Sequence, residues 1–320
     1  MADEIPETNS VTVYDLSDRT QIELIGVDRA KFLHGFCTND IKSLHLRQGC
    51  EAFLPNIKGR VLAHVFVFAG VQSLWLDTVP GQETAIISHL DRYLIREDVQ
   101  LIGRSEERGE LFVTGTHAAQ LLALDEGLAQ HGSVAREACG NAFEIRRADL
   151  LGQPGFLLSI SRTALDFTRS SLLAVGCVAG SPEQFETRRI EAGFPAYGRD
   201  ITEDNLAQEV ARTKQCISFT KGCYLGQEPI ARLDAMGHTN RELRRIQFES
   251  GAKPAVGAVI LAAETDDEAG VITSVAPLAN AVGQIAALGY LKTKFGQPET
   301  RVRIAGTELP SSGIVQKPVQ

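Results

Sequence analysis

The chain has 320 residues, 43% of them hydrophobic and 22% charged, a balance that belongs to a folded globular protein and excludes a disordered or fibrous one. Forty acidic residues against 32 Lys and Arg give a formal charge of −8, which weighs against a broad footprint on a nucleic-acid backbone but permits a small anion in a local basic pocket. No run reaches the roughly 18 apolar residues of a membrane helix, and the acidic opening MADEIPETNS has no apolar signal core, so the cytoplasm or an equivalent reducing compartment is expected.

At this length two domains are expected. IELIGVDRAKFL (Ile22–Leu33) and LFVTGTHAAQLL (Leu111–Leu122) share an apolar strand, a glycine (Gly26, Gly115), and then Ala and Leu at helical spacing, so each reads as a strand turning sharply into a helix. Between them VLAHVFVFAG (Val61–Gly70) and LWLDT (Leu74–Thr78) read as strands, and QETAIISHLDRYLI (Gln82–Ile95) reads as an amphipathic helix. AFEIRRAD and GFLLSIS, punctuated by Gly152, Pro154 and Gly155, predict a hairpin. SPEQ at Ser181–Gln184 is a capping box with Pro at the first helical position, and the helix it opens runs to Gly193; a second helix is predicted from Thr202 through EDNLAQEVART. After Arg245 short β-like runs alternate with Gly, Pro and acidic turns, which predicts an all-β module over 245–320. The preceding 1–244 form the core, with an α+β subdomain inserted at roughly 50–140.

Cys37, Cys50, Cys139, Cys177, Cys216 and Cys223 show no C-x-x-C pair and no close Cys/His spacing, so they are read as reduced, mostly buried small residues and no metal site is expected. The chemistry concentrates in TKGCYLGQEPIAR (Thr220–Arg232). It is neither a Walker A loop nor a dinucleotide fingerprint, because Lys221 precedes the glycines and G-x-G-x-x-G is missing. Gly222 and Gly226 free backbone amides to face a ligand, while Lys221 is available to an anion and to lower the pKa of Cys223. The alternative is a solvated Lys221 and an apolar Cys223, with Glu228 and Arg232 as an i,i+4 ion pair. Upstream, RRIEAGFPAYGRD (Arg188–Asp200) places Arg189 and Glu191 beside a Gly-Phe-Pro bend, where a carboxylate would hold either an amidine edge or a neighbouring loop.

RIEAGFPAYGRD, NLAQE, FTKGCYLGQEPIAR, FLHGFCTNDI and FLPNIKGRVLAHVFVF together resemble the YgfZ-type folate-binding proteins, relatives of the glycine-cleavage T-protein, an aminomethyltransferase; the resemblance covers nearly the whole chain. It implies an α+β, T-protein-like, ring-like fold that binds tetrahydrofolate, followed by a small C-terminal β-barrel. It also implies support for the synthesis or repair of iron–sulfur clusters in other enzymes, tRNA-modifying radical enzymes among them. Expected partners are therefore folate and iron–sulfur client proteins, without direct contact to nucleic acid or membrane. On this reading Lys221 and Cys223 are the catalytic candidates. Lys221, Gly222, Tyr224, Gly226, Gln227 and Glu228 form the signature, Glu191 and Gln153 meet the pterin edge, and Arg232 meets the folate tail or Glu228. Two departures from T-proteins stand out. Aligned by eye, Asp77 takes the place of their Asn and Thr84 that of their catalytic Asp, and Gln153 in GQPG stands where their pterin-gripping acid would be. A hydroxyl cannot do a carboxylate's work at the folate one-carbon centre, so aminomethyl transfer and demethylation are expected to be lost. A docking scaffold for iron–sulfur proteins is the non-enzymatic alternative.

Overall fold

The computed structural model describes residues 10–124, 128–138, 141–306 and 311–317; Cys139 lies outside them. A short first strand, β1 (Thr12–Asp15), leaves at once for a sheet completed much later. β2 (Thr20–Ile25), β3 (Gly49–Pro55), β4 (Val61–Ala69), β5 (Ser73–Thr78) and β6 (Gln100–Gly103) form an antiparallel sheet in the order β3-β4-β5-β2-β6. β7 (Arg108–Thr114), β8 (Ser133–Ala138), β9 (Asn141–Arg147), β10 (Gly155–Ser161) and β11 (Val178–Ala179) join β1 in the second, ordered β11-β1-β7-β10-β9-β8. The stretch at roughly 50–140 is thus divided between two sheets, β3 to β6 in one and β7 and β8 in the other.

Both strand–glycine–helix units form. Gly26 (φ 108°) and Gly115 (φ 129°) hold left-handed backbone, and a Cβ there would lie 2.0 Å from the Asp98 carbonyl oxygen and 2.5 Å from that of Ser10, so only glycine fits. The helices after these turns, α1 (Arg29–His34) and α3 (Ala118–Leu121), cover their sheets together with α2 (Glu83–Asp91) and α4 (Leu165–Ala174).

Period-two alternation decides what lies between the sheets. On β4 the odd residues Ala63, Val65 and Val67 pack against α1 and α2, which leaves Phe66 and Phe68 facing the second sheet and His64 facing Phe194. On β7, Leu111 and Val113 pack against the second pair of helices, while Glu110 and Phe112 point the other way. The space between the sheets therefore mixes aromatic rings with ions. Arg146, 1% exposed, donates to Glu144 at 2.7 Å, lies 3.6 Å from Glu110, and stacks its guanidinium 5.0 Å over Trp75 and 5.2 Å over Phe68. Arg19 donates to Asp77 at 2.8 Å and lies 3.4 Å from Glu110.

The second half departs from expectation at one helix. α5 (Pro182–Glu191) starts on the capping box, with Ser181 accepting from Gln184 N at 3.2 Å. The helix expected from Thr202 does not form: Asn205 turns its side chain back to Thr202 N at 2.8 Å, its carbonyl accepts from Val61 N, and Ala211 takes left-handed backbone at φ 62°. A 3₁₀ turn at Ala207–Val210 and a single turn, α6 (Thr213–Cys216), take its place. After α7 (Gln227–Met236) comes a closed barrel, built from β12 (Arg241–Phe248), β13 (Val259–Ala262), β14 (Glu268–Val275), β15 (Ile285–Lys292), β16 (Arg301–Ile304) and β17 (Ser312–Val315). It docks on α5 through Ile190, which packs with Leu243, Leu288 and Tyr290.

Burial, followed by the nearby Asp77, pushes the Glu110 carboxyl well above the usual range against the pull of Arg19 and Arg146. A carboxyl whose folded pKa is raised favours the fold most below its unfolded value of about 4.3, and that contribution is lost as pH rises toward the folded value. Glu110→Gln removes this term while keeping the shape. Urea melts at pH 5 and pH 8 should show wild type losing stability relative to the variant as pH rises, by up to about 1.4 kcal/mol per pH unit; a gap that does not change with pH would contradict the assignment.

Candidate functional site

A cavity of about 1150 Å³ opens where the turn after β1, helix α5 and the bend at 194–199 converge, with Pro277 of the barrel at its edge. Tyr14, Phe185, Phe194 and Tyr197 give it aromatic wall, and Arg19, Arg169, Arg189 and Arg199 give it cations. Tyr14 Oη is buried without a hydrogen-bond partner among the described residues, and burial raises its pKa against the pull of Arg188. Arg189 is not free: it donates to Glu186 at 2.6 and 2.9 Å, to Asp200 at 2.8 Å, to Ser274 at 3.2 Å and to the Phe194 carbonyl. Arg169 is exposed on α4, and Asp15, Asp18, Glu183 and Glu186 share the lining with these arginines.

The signature turn lies elsewhere, and none of its residues lines the cavity. Lys221 was expected to meet an anion. Instead its Nζ donates to the carbonyls of His34, Cys37 and Asn39 at 2.6, 2.7 and 2.8 Å, lies 4.8 Å over the Tyr224 ring, and is pulled down in pKa by burial. With all three protons engaged, it staples the segment after α1 to the turn. Tyr224 is core, packed among Phe53, Val61, Cys216 and Ile230. Gly226 (φ 75°) caps α7, and a Cβ there would come 2.2 Å from the Asn56 carbonyl oxygen, which explains a glycine without any ligand. Gln227 opens the helix; Glu228 and Arg232 are exposed and form no ion pair with each other. Gly222 is open, with only His34 Nε2 near its would-be Cβ, at 3.9 Å. Cys223 is exposed, the one described cysteine that is, since Cys37, Cys50, Cys177 and Cys216 are buried.

The remaining candidates are also off the cavity wall. Glu191 is half-buried with its carboxyl raised by burial against Arg188 and Arg245, and its backbone carbonyl accepts from Arg245. Gln153 donates to Thr114 Oγ1 at 3.1 Å. Asp77 is buried against Arg19, and Thr84 is exposed on α2.

A further cluster joins residues that no sequence spacing connects. Glu51 on β3 and His64 on β4 are diagonal neighbours, because Phe53 pairs with His64 and Glu51 with Phe66. Cys216, at the end of α6, enters from the far side of the chain. His64 Nε2 lies 2.6 Å from Glu51 Oε1, Cys216 Sγ lies 3.1 Å from the same oxygen and 3.8 Å from Nε2, and Arg212 forks onto both carboxylate oxygens. Burial pushes the Glu51 carboxyl up, but Arg212 and His64 more than reverse this and hold it well below the usual range. The His64 ring stacks on Phe194 of the cavity wall at 5.6 Å, and Arg212 lies 4.7 Å over the same ring.

Residues 3–216 match the family model described as the GCVT N-terminal domain. The tRNA-modifying protein YgfZ of Yersinia enterocolitica is 27% identical, over 77% of this chain and 74% of its own. The mitochondrial iron–sulfur cluster assembly factor of Homo sapiens is 29% identical, over 78% of this chain and 71% of its own. Among solved structures, the glycine cleavage system aminomethyltransferase T from Bartonella henselae superposes with a TM-score of 0.84 at 19% identity, covering 98% of this chain and 87% of that one. The fold is therefore T-protein-like, with a closed six-stranded C-terminal barrel.

Lys221 and Cys223 should respond differently to mutation. Lys221→Met leaves three buried carbonyls without their donor and is expected to cost about 1–3 kcal/mol in urea unfolding. Cys223→Ser, at an exposed position, should stay within about 0.5 kcal/mol of wild type. Equal losses would mean that the Lys221 staple does not hold the loop.

Proposed function

The chain belongs to the family of the GCVT N-terminal domain, and from that premise we propose that it binds tetrahydrofolate and supports the synthesis or repair of iron–sulfur clusters in other enzymes. The observation that carries the folate half is a cavity walled by the Tyr14, Phe185, Phe194 and Tyr197 rings with the exposed Arg169 beside it. A folate is a flat heteroaromatic ring with hydrogen-bonding edges, an aryl spacer and an anionic tail. Tyr14, Phe185 and Phe194 offer the rings flat apolar surface, and the exposed Arg169 offers the tail a cation. When bound, folate supplies a carrier for one-carbon units. The protein's part is to hold it, order it and keep water from it.

The iron–sulfur half is supported by the name of the Homo sapiens relative and by the placing of Cys223. A thiol that is exposed, on a turn fixed by the buried Lys221 and by the Gly226 cap, is presented to a macromolecule rather than to the cavity ligand. Tyr224, Gly222, Gln227 and Glu228 then serve to shape and hold that turn. Aminomethyl transfer is the second reading, favoured by the structural neighbour's name. Against it, Thr84, placed by alignment at the catalytic acid, is exposed on α2 and does not line the cavity, and a hydroxyl there cannot replace a carboxylate.

Calorimetric titration with tetrahydrofolate separates these readings. Wild type should bind one equivalent saturably, Arg169→Ala should bind roughly 2–5-fold more weakly, the loss of one exposed ion pair, and Cys223→Ser should bind as wild type does while failing to restore iron–sulfur enzyme activity in cells that lack the protein. An absence of binding by wild type would remove folate from the account and leave the docking scaffold. Turnover of an aminomethyl donor by wild type would instead favour the transferase.

A further inference from the structure

We propose that Glu51, His64 and Cys216 form a binding site for one first-row divalent ion of the zinc or ferrous type. The three side chains come from β3, β4 and α6, and their donor atoms converge on one point. Separations of 2.6 Å (Nε2 to Oε1), 3.1 Å (Sγ to Oε1) and 3.8 Å (Sγ to Nε2) leave a position about 2 Å from all three atoms, the length of a bond from such an ion to nitrogen or oxygen and close to that for sulfur.

The convergence itself distinguishes this arrangement from a nucleophile relay. In a thiol–imidazole–carboxylate relay the imidazole stands between the other two and uses opposite nitrogens. Here both the thiol and the carboxylate meet the same nitrogen, Nε2, so no proton can pass from Cys216 through the ring to Glu51. Without an ion, three donors crowd one oxygen: Arg212 Nε, His64 Nε2 and the Cys216 thiol all point at Glu51 Oε1. A divalent ion relieves that crowding by drawing thiolate, imidazole and carboxylate to itself.

The donor set fits a borderline ion and not magnesium or calcium, which take oxygen ligands. Arg212 does not compete for the ion, having no acceptor; it forks onto the carboxylate from outside and fixes its orientation, as outer partners of metal ligands do. Three protein ligands leave a fourth position, and the His64 ring stacked on Phe194 places the site behind the cavity wall. The proton balance is definite. The ion binds neutral imidazole, whose single proton moves from Nε2 to Nδ1, and displaces one proton from the Cys216 thiol to solvent. The proposal does not rest on the folate reading, and either can fail without the other.

The test is anaerobic titration of the full chain with Co²⁺, in the Cys223→Ser background so that the exposed thiol cannot contribute. One equivalent should raise a thiolate-to-cobalt charge-transfer band with the visible bands of a four-coordinate ion, release one proton, and be displaced by Zn²⁺. Cys216→Ser should abolish the charge-transfer band, and His64→Ala should weaken binding at least tenfold. A band absent at one equivalent, or one that survives Cys216→Ser, overturns the assignment. Should the variants fail to fold, X-ray absorption of the zinc-loaded Cys223→Ser protein decides it: one sulfur at about 2.3 Å with nitrogen and oxygen at about 2.0–2.2 Å is expected, and a shell without sulfur refutes the site.

Discussion

Arg146 stands at the centre of the space between the two sheets, and its surroundings explain why that space is not an ordinary apolar core. It is paired with Glu144 and lies near Glu110, and its flat guanidinium rests on Trp75 and Phe68. Buried ion pairs of this kind return little net stability once desolvation is counted. What they supply here is register. With apolar side chains committed to the helix-covered faces, a slip of one residue in β4, β7 or β9 would bring ions under the helices and leave Arg146 without partners. Arg19, Asp77, Gln21 and Ser159 extend the same constraint to β2, β5 and β10.

A second guanidinium does comparable work further along the chain. Arg189 ties α5 to the bend at 194–200 and, through Ser274, to the barrel, while Asp200 accepts from Thr273 of the barrel at 2.5 Å and from Ala196 N at 3.0 Å. The wall of the cavity is thus held by the joint between core and barrel. Phe194 joins two functions in one ring, facing the cavity on one side and meeting His64 and Arg212 on the other.

Local signals in the sequence carried most of the architecture. Gly26 and Gly115, the Ser181–Gln184 box and the Gly-rich β runs after residue 245 each act through their immediate neighbours, and each gave the expected kind of element, although the barrel's first strand starts earlier, at Arg241. The segment after Thr202 did not, because its alternatives to helix are long-range: Asn205 bonds Val61 across the fold, which no periodicity encodes. The site divides in the same way. Arg189 stood out beside its Gly-Phe-Pro bend, and the resemblance drew attention to the turn at 220–232. That Lys221 would be consumed by three carbonyls some 180 positions earlier, or that Glu51, His64 and Cys216 would meet, depends on tertiary closure and left no mark on spacing.

The sheet order also has a consequence for how the molecule is made. The five-stranded sheet draws only on the stretch between Thr20 and Gly103, so it can assemble while the ribosome is still translating the later two thirds of the chain. β1 cannot: its neighbours are β7 and the two-residue β11, and until they emerge it remains a strand with both edges bare. During synthesis the first strand therefore waits for partners made later, open until then to chaperones or to the same strand of a neighbouring nascent chain.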